Sequence, residues 1–269
     1  MKLFWTCVIL IAAAGPVFGN GEAGLSSWGE VKGEHFIVSH ESKGHREVAA
    51  TLLRRAEEYY RKIAVQLGYA RYSDFWTWEN RVRIFLFSDQ ASFMSKTGQP
   101  LWSAGAALRH SRLFQSRAIM TYPQEEDFYD GLLPHETAHL ILHDFIRREE
   151  NLPIWFDEGV AQIQESRKSD VSREMMRRLA RKKRHIPFNA LMNHDIRTET
   201  DQTRVKIFYA ESLSIVEFLL KTYGSDSFGA LCRQMRDGKS FEEALTAAYP
   251  GVRDLLTLEN KWISYIVGQ

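Results

Sequence analysis

Residues 132–145 read LLPHETAHLILHDF, and the rest of the chain is best understood outward from them. The Leu, Ile and Ala residues around the centre recur as they do in a helix, and His135, Glu136 and His139 among them spell H-E-x-x-H. Positions i and i+4 of a helix share one face, a turn apart, so the two imidazoles can reach one divalent ion. A carboxylate beside the first imidazole can hold a water against that ion, which is the chemistry of a zinc hydrolase. Pro134 must lie near the helix start, because deeper in the helix it would remove a backbone hydrogen bond. Taken alone, the motif is also compatible with two ordinary helix histidines and a surface Glu.

Catalytic zinc takes three protein ligands and keeps a fourth position for water. The metzincin pattern would place Gly at 142 and His at 145. This chain has Leu142 and Phe145, which excludes that class. Downstream, LPIWFDEGVAQIQES at 152–166 is again helical in pattern and carries Glu158, nineteen residues after His139. H-E-x-x-H followed by P-x-W-F-x-E-G-x-A, formed by Pro153, Trp155, Phe156, Glu158, Gly159 and Ala161, resembles the gluzincin zinc metallopeptidases, specifically the small bacterial peptidase-MA-like domains. The resemblance implies that His135, His139 and Glu158 bind one Zn²⁺ per chain, with Glu136 as general base. It also implies an oxyanion donor from a Tyr in the C-terminal half. Tyr209 is the candidate, although it lies on an apolar helical stripe where a core tyrosine would also lie. Thermolysin-type gluzincins carry an Asp four residues after the Glu ligand, and here that position is Gln162. Asp157, Glu165 or a backbone carbonyl is left to orient a zinc-binding imidazole. His143, one turn beyond His139, is two turns from His135, too far to share its ion, and reads as a supporting or surface residue.

The N-terminus has secretory anatomy: Lys2, an apolar run from Leu3 to Ala14, then Gly15-Pro16 and small residues before Asn20. Residues 1–19 are therefore expected to be a signal peptide, and the protein to be exported, periplasmic or secreted. Losing this segment removes Cys7 and leaves Cys232 as the single cysteine, so no internal disulfide is expected. It also removes Lys2, leaving 34 basic against 34 acidic residues. A near-neutral chain has no charge-driven need for nucleic acid. Strands are expected at 34–40 (EHFIVSH) and 81–87 (RVRIFLF), with His35 and His40 at surface or strand-end positions. The amphipathic run 43–67, stopped by Gly68, is expected to be the helix between them, and a short helix should follow at 90–97. Residues 104–122 read as a hairpin. By the resemblance, one of its arms, Gly105–Leu108 or Ala118–Tyr122, would take an extended substrate in the manner of strand addition.

Residues 167–184 hold a dense basic run, which reads either as a solvated helix or as a weak contact for an anionic surface. Residues 186–200 look irregular, and the remainder is helical, with a helix from Val205 ended by Gly224. The expected fold class is α+β and zincin-like: a small mixed sheet with long helices at 20–147, ending in the H-E-x-x-H helix, and an all-helical lobe at 148–269 containing Glu158. The expected function is a zinc metallopeptidase acting on a peptide or protein. The alternatives are a non-catalytic envelope binding module that keeps the fold, or a zinc amidase acting on cell-wall peptides.

Overall fold

The computed structural model describes residues 28–69, 76, 80–98, 105–108, 117–123, 128–147, 149–165 and 169–268. The expected signal peptide, the turn of the 104–122 hairpin, and Arg167 and Lys168 lie outside them. The chain divides into two units, residues 1–61 with 73–140 and residues 62–72 with 141–269.

The first unit is built on a five-stranded mixed sheet, in keeping with the α+β expectation. Its strands are β1 (Gly29–Lys32), β2 (Phe36–His40), β3 (Val82–Leu86), β4 (Gly105–Leu108) and β5 (Ala118–Thr121), in the order β1-β2-β3-β5-β4. The inner pairs are parallel, with Val38 opposite Ile84 and Ile84 opposite Ile119. The outer pairs are antiparallel, with Val31 opposite Val38 and Ala107 opposite Ile119. Parallel strands are covered on both faces and need apolar residues throughout. FIVSH is accordingly buried at all five positions, His40 included. Of the two placements expected for His40, the strand end holds, since it closes β2, and the surface does not: its ring lies where a side chain on Gly29 would otherwise be, and its Nδ1 is 2.8 Å from the Ser42 carbonyl oxygen. β2 starts two residues later than expected because Gly33 N–H donates to the Phe36 carbonyl in a turn that leads back to β1.

Helix α1 (Arg46–Gln66) joins the parallel strands β2 and β3 and follows a 3-10 turn at Lys43–His45. It buries Ala49, Leu52, Ala56 and Tyr60. The chain leaves it through Gly68 at φ 74°, a left-handed conformation that glycine adopts without steric cost. Helix α2 (Gln90–Thr97) is capped by the Asp89 side chain, which accepts from Ser92 N–H, and by Gly98 at φ 70°. Helix α3 (Leu133–Ile146) follows a π-helical turn at Phe128–Leu132.

The second unit is helical: α4 (Ile154–Gln162), α5 (Ser169–Arg181), α6 (Phe188–Leu191), α7 (Gln202–Arg236), α8 (Phe241–Ala248) and α9 (Leu255–Gly268). Residues 186–200 are more ordered than expected, holding α6 and a 3-10 turn at Ile196–Thr198. Gly224 interrupts α7 with φ 80° and ψ 167°, and the helical path resumes beyond it to Arg236. The core of the unit is aromatic: Phe156 stacks on Phe228 at 5.3 Å, and Trp155 meets Phe241 edge-on at 5.3 Å. Trp262 is fully buried and donates from Nε1 to Ser214 Oγ at 3.0 Å. In α5 the basic run divides. Arg173 forks onto Glu217 and Arg177 reaches Glu174, whereas Arg181 to Arg184 are exposed. No described helix is long and apolar enough to cross a membrane.

Candidate metal centre

Helix α3 begins one residue before Pro134, so the missing N–H falls among the first-turn donors that have no intrahelical partner. The π-helical turn ahead of it is tied down by Tyr59, whose hydroxyl donates to Asp130 Oδ1 at 2.8 Å. One turn apart on α3, His135 and His139 are both buried, at 1% and 7% exposure. Their rings stand at 75° with centroids 4.7 Å apart, and their Nε2 atoms face each other at 3.0 Å. Two nitrogens each about 2 Å from a tetrahedral zinc would stand roughly 3.3 Å apart, so the pair is close to the spacing of two ligands of one ion. Glu136 and Thr137 are buried beside them.

Helix α4 carries Glu158, which has no exposed surface. The motif around it has a packing logic. Trp155, Phe156, Val160 and Ala161 are all buried, and Gly159 lets α4 approach α7 at backbone distance. A Cβ at 159 would lie 2.6 Å from Val216 Cγ2 and still closer to the Ser212 carbonyl oxygen. His135 and His139 bring two imidazole nitrogens together in the first unit, and Glu158 offers a buried carboxylate in the second. Two imidazoles and a carboxylate are the nitrogen and oxygen donors that zinc takes in catalytic sites.

This arrangement, on a chain of this fold, coincides with a match to a family model. The model of the Peptidase MA superfamily matches residues 79–268. The chain belongs to the Peptidase MA superfamily. No curated protein matches it. The matched region of this Peptidase MA member starts just before β3 and runs through α9, so it contains every residue named above as a candidate ligand.

The remaining candidates are placed as follows. Tyr209 is 6% exposed in α7, edge-on to Phe208 at 5.6 Å. Two residues on, the Glu211 carboxyl is pushed well above the usual carboxylate range, chiefly by burial. The Ile186 N–H at its Oε2 pulls it down, and neighbouring Glu259 raises it further. Gln162 and Glu165 are buried at the end of α4 and just beyond it. Asp157 lies in the first turn of α4, and its Oδ2 is 2.8 Å from His143 Nε2. This pairing was missed from sequence. Its only signal was the His143 position, one turn past His139, and nothing local connects it with a carboxylate fourteen residues away.

Of the two hairpin arms considered for substrate, β5 is paired on both edges, with β3 and with β4. Among the described residues, β4 lies at the end of the sheet and pairs with β5 on one side, so of the two arms it is the one with an edge left to accept another strand.

Proposed function

We propose that the chain is a zinc-dependent metallopeptidase in which His135, His139 and Glu158 hold one zinc ion and Glu136 is the general base. The observation that carries this reading is the buried His135–His139 pair, its Nε2 atoms 3.0 Å apart and Glu136 next to the first, in a Peptidase MA member. When bound, zinc would lower the pKa of a water towards neutrality and polarise the scissile carbonyl. The Glu136 carboxylate takes the proton of the attacking water and passes it to the leaving amine. Burial of Glu136 at 7% exposure keeps competing solvent off that transfer. The Tyr209 hydroxyl donates to the oxyanion as it develops, and β4 aligns the substrate by strand pairing. The signal-peptide anatomy of residues 1–19 supports action outside the cytoplasm, on an exported peptide or protein.

The test combines zinc content with turnover on an unbiased peptide library, with and without chelator. Wild type should hold one zinc and cleave in a chelator-sensitive way. Glu136→Gln should keep the zinc and lose turnover by several orders of magnitude. Near-wild-type turnover in Glu136→Gln would remove that residue from the base role, and a zinc-loaded wild type that cleaves no peptide would favour the binding-module alternative.

A further inference from the structure

Among the largely buried ionisable pairs that the mechanism leaves unused, one joins α3 to α4. His143 Nε2 and Asp157 Oδ2 stand 2.8 Å apart, and each side chain is 10% exposed. They join two successive helices, His143 in the last turns of α3 and Asp157 in the first turn of α4. Asp157 immediately precedes Glu158, and His143 is one helical turn from His139.

We infer that the His143–Asp157 pair is a positioning clamp for the metal centre, fixing the first turn of α4 against α3 so that the Glu158 carboxylate is held at the distance its ion requires. This inference rests on the proposed zinc reading. The chain has a specific need for such a clamp. Between α3 and α4 lie only a 3-10 turn at Glu149–Asn151 and a few connecting residues, with Arg147 in a left-handed conformation at φ 60°. A connection of that kind leaves the rotation of α4 about its own axis to side-chain contacts. Trp155 and Phe156 anchor α4 from its far side, in the aromatic core shared with Phe228 and Phe241. In the first turn of α4, Asp157 reaches back to His143 of α3. A short, buried hydrogen bond is directional, which suits it to holding one angle. A ligand donor misplaced by a fraction of an ångström loses metal affinity, and removal of groups that orient ligands typically costs 10–100-fold.

The experiment measures zinc affinity by chelator competition, alongside thermal melting of the apo-protein, for wild type, Asp157→Ala, His143→Ala, the double variant and Asp157→Asn. Each alanine variant should bind zinc at least 10-fold more weakly. The double variant should be no worse than either single, because both remove the same contact. Asp157→Asn, which keeps an acceptor in place, should recover most of the lost affinity. Affinities within about threefold of wild type in both alanine variants would overturn the clamp whatever happens to melting, as would losses that simply add in the double variant. His143→Asn serves if an alanine variant fails to fold, with the same expected loss. A wild-type chain that binds no zinc overturns the proposed function and the clamp together, whereas zinc binding by wild type with unaffected variants overturns the clamp alone.

Discussion

Gly159→Ala sets two physical effects against each other. Gly159 sits in the interior of α4, where alanine is intrinsically favoured by about 1 kcal/mol. On propensity alone the substitution stabilises. Packing argues the other way: the new Cβ would stand 2.6 Å from Val216 Cγ2 and 2.8 Å from the Ser212 carbonyl carbon, with the carbonyl oxygen nearer still. Ordinary carbon contacts are about 3.5–4.0 Å, so roughly 1 Å must be found. Val216 is β-branched and nearly fixed in one rotamer in a helix, and the Ser212 carbonyl moves only if α7 moves. Overpacking of a close-packed site costs about 1–3 kcal/mol, and a clash with backbone belongs at the upper end. The net expectation is a loss of about 2 kcal/mol, or roughly 4–8 °C in Tm for a domain of this size. Urea or thermal unfolding of the apo-protein measures it. Because Glu158 is the preceding residue, zinc affinity should fall as well. A variant as stable as wild type, or more stable, would show that propensity wins and that Gly159 is not there for the approach of α4 to α7.

Three further outcomes are expected. The Glu41 carboxyl is held at about 2: burial works to raise it, but bonds from the Lys96 ammonium, the Ser92 hydroxyl and the Ser88 N–H outweigh that effect. A carboxylate depressed in the folded state contributes stability that is present above its unfolded pKa and is lost as pH falls through the folded one. The Tm gap between wild type and Glu41→Gln should therefore be full above about pH 5 and should close towards pH 2, and a gap independent of pH would refute the ion-pair reading. Burial pushes the Cys232 thiol up to about 12, with the Tyr69 hydroxyl and Arg233 pulling the other way. In protein carrying Cys7→Ser it should resist alkylation at pH 8 until unfolded, and labelling of the native state at the rate of a free thiol would contradict its burial. Tyr209→Phe should lower turnover by roughly 100-fold with zinc content unchanged; unchanged turnover would leave Tyr209 a core residue.

What could be read from sequence was whatever has a local physical requirement. RVRIFLF is a strand because β-branched and aromatic residues in an unbroken run fit a sheet covered on both faces, and β3 is such a strand. H-E-x-x-H is legible because the two ligands belong to one helix and their spacing is that of one turn. β1 was not foreseen: GEVK is short, alternates between half-buried and exposed, and becomes a strand only because it pairs with β2. Gly224 was correctly read as a helix stop, and the helical spacing of Phe228, Leu231 and Met235 beyond it matches the resumed helical path to Arg236. Around the metal centre the same division holds. The Glu-Gly of α4 could be recognised as a motif, whereas the reason for the glycine, a backbone carbonyl of α7 lying against it, depends on residues more than fifty positions away. The Gln162 departure drew attention to Asp157 as a carboxylate that could orient a zinc-binding histidine. The structure places Asp157 Oδ2 2.8 Å from His143 Nε2, and it does so through the angle between two helices, which no periodicity encodes. A substitution at His143 would therefore pass as a surface change to any reading by local pattern, yet it removes one half of the contact that ties the Glu158 helix to the histidine helix.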